Sequence, residues 1–206
     1  MQRAWIRGSA VRKRAVGMWL AVASLFWGAV AQADWQLEPS RSQVQATITQ
    51  LGAGAPEAHH YQLRDLQGEI SPDGTLRLPL RLSQTDILDQ FGTLPTWVSL
   101  LANTTLVTLT AQMPPARLDA LDVGESLVET LTFRVQMDGV NQQEPVPLRF
   151  TREGLNEVRV THAEPMALDG RTLMANSTVR TLLNMLGFQE IGNEVPVTLN
   201  ALLINR

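Results

Sequence analysis

The chain has no cysteine among its 206 residues, one tyrosine, three histidines and a single lysine, Lys13. Each shortage excludes a chemistry. Without cysteine there is no disulfide, no thiol nucleophile and no thiolate metal site. Lysine confined to position 13 leaves the rest of the chain without an amine for Schiff-base catalysis. Any metal would have to be shared between three histidines and carboxylates, so no metal or other cofactor is expected. The chain also lacks G-x-S-x-G, H-E-x-x-H and a phosphate loop, the local signatures of several catalytic sites. Aromatic residues make up 5% of the chain, so aliphatic side chains must form most of any core.

What is present begins with charge. Arg3, Arg7, Arg12, Lys13 and Arg14 precede the apolar run Ala15–Val30, and "AQA" (31–33) follows it. This is the layout of a secretory signal peptide, with cleavage expected between Ala33 and Asp34. The run is shorter than the roughly 20 residues a membrane span needs, so no membrane anchor is expected once it is cut. No cysteine follows for a lipid anchor, and "RKR" lacks the context of a twin-arginine signal. The periplasm is the expected compartment. The remainder, residues 34–206, keeps all 20 acidic residues but only 12 of the 17 basic ones, a net charge of −8. Nucleic acids and anionic lipid surfaces need clustered positive charge, so neither is an expected partner. The length suits one domain with a sizeable core.

Short period-two runs dominate this domain. Val44, Ala46 and Ile48 alternate with polar residues, as do Leu76, Leu78, Leu80 and Leu82. Val107, Leu109, Ala111 and Met113 share a phase, then Leu131, Phe133, Val135 and Met137, then Val146, Leu148 and Phe150. Val158 and Val160 lead in phase to His162, and Val195, Val197, Leu199, Ala201 and Leu203 close the chain. Alternation of this kind marks strands with one face hidden from water. Between Tyr61 and Ile70 the phase changes, which predicts a β-bulge near Arg64–Asp65. "SPDG" (71–74) predicts a tight turn. Pro79, Pro145 and Pro147 fall within strand patterns and belong at edges or bulges.

Two segments break the alternation. Val179, Leu182, Leu183 and Leu186 follow helical spacing, with Asn176 or Ser177 to cap the start and Gly187 the end. This predicts a short helix near Ser177–Leu186. A second is predicted near Pro95–Ala102, because proline suits a helix's first turn. The segment "AEPMALDG" (163–170) reads as a loop. The sum is an all-β domain of about eight antiparallel strands, which closes as a barrel or splits into a sandwich.

The order of these segments resembles the YceI-like family of secreted bacterial barrels. "WQLEPSRSQVQATI" is similar to its opening, "HHYQLRDLQGEIS" to its second long strand and "NTTLVTLTAQM" to the strand after a short helical excursion. "VRVTHAEPMALDGRTLMANSTVRTLLNMLGFQEIGNEVPVTLNALLI" resembles the family's close: a strand, a proline-containing loop, a leucine-rich helix and a Val-Pro-Val strand. The resemblance covers the whole of residues 34–206. It implies an up-and-down, lipocalin-like barrel that binds a polyisoprenoid lipid. Many members carry an arginine and a histidine before the helical excursion, whereas "QTDILDQFGTLP" has neither.

The resemblance also implies a lumen lined by the inward residues. These are Ile48, Tyr61, Leu78, Leu80, Trp97, Val107, Leu109, Phe133, Val135, Phe150, Val158, Val160, His162, Leu183, Val197 and Leu199. An eight-stranded barrel has just enough interior to be packed solid or to hold one small molecule. Medium-sized aliphatics leave space more easily than rings. His162 could meet a lipid head group or quinone carbonyl at a barrel mouth, or simply end its strand in solvent. Trp97 serves equally as a lid or as core. His59 and His60 are adjacent and must face opposite ways in a strand. Glu129 falls in the apolar phase, and an unpartnered buried carboxylate is costly, so its strand is expected to begin after it. Asp86 and Asp89 resemble a carboxylate pair on a solvated loop, and Arg77 and Arg81 an outer face.

Three readings follow. The first is a carrier for an isoprenoid or quinone-like apolar ligand. The second is a secreted interaction module with a packed barrel. The third, an enzyme on a lipid-like substrate using His162, has no catalytic constellation behind it, so no enzyme activity is expected. A homodimer is compatible with all three. N-terminal sequencing of the exported protein should return Asp34 as the first residue; an intact Met1 would contradict the signal-peptide reading.

Overall fold

The computed structural model describes residues 35–52, 54–90, 102–103, 105–113, 115–137 and 140–206. The signal segment 1–33, Trp97 and all of the expected helix Pro95–Ala102 except Ala102 lie outside these residues. The strands are β1 (Trp35–Leu37), β2 (Gln43–Leu51), β3 (Glu57–Leu63), β4 (Glu69–Ile70), β5 (Thr75–Arg81) and β6 (Thr105–Gln112). They continue with β7 (Ser126–Met137), β8 (Val140–Gly154), β9 (Glu157–His162), β10 (Met166–Asp169), β11 (Glu190–Ile191) and β12 (Glu194–Asn205). The helices are α1 (Pro115–Asp119), α2 (Gly170–Ala175) and α3 (Ser177–Met185).

Eight of the strands hydrogen-bond in a closed antiparallel ring, in the order β1-β4-β5-β6-β7-β8-β9-β12 and back to β1. The ring is therefore an up-and-down barrel, whose interior at eight strands is about one layer of side chains wide. Three sides of the ring are broken strands. β2 continues β1 alongside β12, β3 pairs with β2, and β10 continues β9 along β12.

Local chemistry accounts for the breaks. Pro39 starts a 3-10 turn, Pro39–Arg41, between β1 and β2. Opposite the turn, the backbone of Leu202 has no strand neighbour on that side. Glu38 N–H donates to the Leu202 carbonyl at 2.8 Å, and Leu202 N–H donates to Ser42 Oγ at 3.0 Å. Ser42 is the one buried polar residue of the described core, and its hydroxyl completes the interrupted ladder. The phase change between Tyr61 and Ile70 is a second break. β3 stops at Leu63, Asp65 turns the chain at φ +53°, and β4 resumes at Glu69. The expected bulge is thus a true interruption, because a left-handed residue ends pairing instead of displacing it by one.

Other expectations are met in detail. Gly74 closes the 71–74 turn at φ +84°, with its N–H on the Ser71 carbonyl at 2.7 Å. Asn176 caps α3 by accepting from Val179 N–H at 3.0 Å, and Gly187 follows the helix at φ +90°. Pro145 and Pro147 lie on β8 above its last pair with β9, Leu148–His162, so that edge of β8 needs no ladder donors there. Pro79 likewise sits beyond the last β4 pair, Glu69–Arg77. The segment 163–170, expected as a loop, contains β10, and "GRTLMA" forms α2. Asp169 caps that helix, accepting from Arg171 N–H at 2.8 Å.

One end of the barrel is packed solid. Trp35, Met113, Leu131, Phe150, Val158, Ala201 and Leu203 meet there with Leu118 of α1. Trp35 is fully buried, its indole N–H donates to Asp119 Oδ1 at 3.0 Å, and the Arg152 guanidinium lies 5.6 Å from its ring centre. Arg152 also donates to the Leu118 carbonyl at 2.9 Å, tying α1 over this end. Glu129 lies inside β7 among the inward residues, not ahead of the strand. Its carboxylate is tolerated because Arg117 of α1 forms an ion pair with it. A void beside them has about 10 Å³, close to the limit for a single water.

Replacing Ser42 with alanine should leave Leu202 N–H buried and unpaired. A loss of about 1–3 kcal/mol is expected, read as a lower urea midpoint, while Ser40→Ala at an exposed position should change little.

Candidate functional site

The inward phase of five strands passes from buried to half-buried residues along its length. On β12, Leu203 and Ala201 are buried, while Leu199 and Val197 are only half-buried. On β9, Val158 and Val160 are buried and His162 is half-buried. On β7, the change falls between Leu131 and Phe133, with Val135 also half-buried; on β6, between Ala111 and Leu109, with Val107 beyond. On β5 it falls between Leu78, 8% exposed, and Leu80. The register aligns these positions: Leu109 faces both Leu78 and Val135, and Val107 faces Leu80. Above the solid end the inward side chains keep part of their surface in contact with solvent, although Phe133 and Leu199 still pack against the core cluster; this half-buried stretch of the inner wall is termed the hollow.

Beyond the hollow, a second cluster covers one side of the open end. Ile48 and Tyr61, from β2 and β3, pack with Leu183, Phe188, Ile191 and Val195. Leu173 and Met174 of α2, Val179 of α3 and Leu186 just after it join them half-buried. The two helices reach this position through a tight approach at Gly170, where any side chain would collide with the Gly192 carbonyl.

The sequence-derived residues therefore divide three ways. Leu80, Val107, Leu109, Phe133, Val135, His162, Val197 and Leu199 line the hollow, and Leu78 is buried at its floor. Phe150, Val158 and Val160 belong to the solid end, where their neighbours already fill the space. Ile48, Tyr61 and Leu183 belong to the helix-covered cluster. Met166 and Leu168 of β10 also fall on this wall, half-buried opposite Val197 and Val195. Sequence reading passed over them because a four-residue strand shows too little alternation to register.

Polar groups are few on this wall. His162 lies at the level where packing stops, beside buried Leu148 on β8, and not at the mouth. Burial lowers its pKa below the ordinary 6.5, and a hydrogen bond with the Val197 backbone partly offsets this. The N–H of Leu199 approaches its Nδ1 at 3.4 Å. His59 faces inward and His60 outward, where Nδ1 of His60 meets Thr47 Oγ1 at 3.0 Å. Asp86 accepts from Gln62 N–H at 2.9 Å and Asp89 pairs with Arg64 at 2.7 Å, so each is engaged separately.

A polar groove of about 350 Å³ lies on the outside, between Pro39–Gln43, Arg64, Asp65, Arg159 and Asn200. Its three arginines are each held by a carboxylate: Arg41 by Glu157, Arg64 by Asp89 and Arg159 by Glu153. The groove is thereby neutralised by its own surroundings.

No protein-family profile and no curated protein matches the chain. Among solved structures, a polyisoprenoid binding domain from Saccharophagus degradans, implicated in plant cell wall breakdown, aligns with a TM-score of 0.65. The alignment covers 84% of this chain and 98% of that one at 17% sequence identity. The two chains share one fold. This likeness agrees with the YceI-like resemblance drawn from strand order, and the protein on the other side of it is a binding domain.

His162 gives the site a pH dependence. Its lowered folded-state pKa means that the unfolded chain takes up the proton first as pH falls below about 6.5. The stability carried by neutral His162 is therefore present above that pH and lost as pH falls through the folded value. The urea midpoint of His162→Gln should fall less between pH 8 and pH 5 than that of the native protein.

Proposed function

We propose that the protein is a periplasmic carrier that shields an isoprenoid-class chain inside its barrel. The observation that carries this reading is the passage of five strands from buried to half-buried inward residues towards one end of the barrel. A packed interaction module would mesh these side chains along the whole axis. The fold shared with a polyisoprenoid binding domain supports the same reading.

The energetics suffice without a charged contact. Burying one methylene is worth about 0.8 kcal/mol, so one isoprene unit contributes about 3–4 kcal/mol. Micromolar affinity requires about 8 kcal/mol net, after several kcal/mol for lost freedom on association. Four or more buried units meet that requirement. The bound chain would lie against Leu80, Val107, Leu109, Phe133, Val135, Val197 and Leu199, with the solid end as its floor and α2 and α3 beside its entrance. Export by a signal peptide would place this carrier between the two membranes that hold such lipids.

Native mass spectrometry of the protein recovered from its own periplasm tests the proposal. Bound mass in isoprenoid increments is expected. Leu109→Trp, which fills the hollow from one wall, should weaken uptake about 10-fold or more while the barrel stays folded by circular dichroism. Protein that arrives empty and takes up no isoprenoid on titration would favour the packed-module reading instead.

A further inference from the structure

Polar selectivity within the lumen follows from two independent observations. The first concerns cations. From residue 34 onward every fixed cation is an arginine, and all twelve are described. Arg77, Arg81, Arg134 and Arg149 are exposed on the outward phase of their strands. Arg41, Arg64 and Arg159 line the outer groove. Arg117 and Arg152 serve the solid end, Arg171 and Arg180 are exposed on the helices, and Arg206 pairs with Glu38. Among the described residues, none offers a positive charge to the hollow. A phosphate drawn into it would lose its water and find no counter-charge, which is strongly unfavourable.

The second observation is a buried polar atom without a partner. His59 Nε2 is shut off from solvent and has no hydrogen bond, alone among the side-chain nitrogen and oxygen atoms of the described residues. The ring stands edge-on to Phe188, with centroids 5.0 Å apart and planes at 80°. Its neighbours on the inner wall are Ile48, across the β2–β3 pair, and Tyr61, two residues along the same face. A neutral imidazole nitrogen either donates or accepts one hydrogen bond. Leaving it unmade in apolar surroundings costs free energy that a single partner would return. Phe188, just after α3 and Gly187, covers this side of the ring, so a ligand atom reaches the nitrogen only by displacing that corner of the helix-covered cluster.

We propose that the barrel selects an apolar chain tipped with an uncharged oxygen, an alcohol or carbonyl, over its phosphorylated counterpart, and that His59 Nε2 meets that oxygen beneath Phe188. The inference rests on the carrier reading and specifies its ligand. Titration of the intact exported protein with geranylgeraniol, the matched C20 hydrocarbon and geranylgeranyl diphosphate, followed by native mass spectrometry, tests it. The alcohol should bind about 10-fold tighter than the hydrocarbon, one buried hydrogen bond's worth, and about 100-fold tighter than the diphosphate. His59→Leu should bring the alcohol down to the hydrocarbon's level and raise the urea midpoint of the empty protein, because the unpaired nitrogen is gone. A purely structural histidine would leave the alcohol-to-hydrocarbon ratio unmoved. Equal binding of alcohol and hydrocarbon, or a diphosphate that binds as well as the alcohol, overturns the inference and leaves the carrier reading standing. Failure of all three probes to bind overturns both. The ligand series on the native protein decides the matter even if the leucine variant does not fold.

Discussion

Closure of the ring through three residue pairs, Trp35–Asn205, Gln36–Ile204 and Leu37–Leu203, is the constraint that everything else obeys. An open sheet of this length could flatten, curl or stack on itself, and side chains could adjust to whatever gap resulted. Once first and last strands are hydrogen-bonded, the backbone sets the interior width. Side-chain volume then decides, level by level, whether that width is filled. The shortest strand of the ring's closure also delivers its largest plug, since Trp35 is both the first residue of β1 and fully buried.

The two halves of the barrel differ in what they place inside the same width. Towards the solid end, Trp35, Phe150, Met113 and Leu131 bring rings and long side chains, and α1 adds Leu118 from outside. Even the one inward carboxylate, Glu129, is neutralised by Arg117 from that helix. Towards the open end the inward residues are mostly valine and leucine, and the strands themselves fall short. β4 pairs with β5 only at Glu69 and Ile70, and β8 runs past its last β9 pair at Leu148. Fewer neighbours and smaller side chains act in the same direction. The inward side chains there keep more contact with solvent, and α2 and α3 pack over one side of that end.

Charge follows the same division. A chain with a strong excess of carboxylates keeps its arginines on the outer wall or at the sealed end, where water or carboxylates hold them. The hollow is left neutral, with His162 on its wall and His59 in the helix-covered cluster beside it. Their situations differ. His162 has backbone partners on β12, whereas His59 Nε2 has none. Phe188, which stands edge-on to His59, follows the left-handed turn of Gly187 after α3.

Alternation along the strands was readable because it is local. Each of β2, β5, β6, β7, β8, β9 and β12 is long enough for a two-residue period to repeat, and the α3 caps at Asn176 and Gly187 act within one turn. β10, β11, α1 and α2 were not legible, since each is too short for a period, and packing against neighbours holds it in shape. The inward face was likewise readable along most strands, and His59 and His60 were bound to point opposite ways, though which of them faces inward, and the place of Glu129 within β7, came from the fold. Which part of that face is filled was a matter for tertiary structure alone. Phe150 and Phe133 read identically along the chain; one is buried beneath α1 and the other half-buried in the hollow. Packing depends on which rows of distant strands share a level, and only closure of the ring assigns those levels.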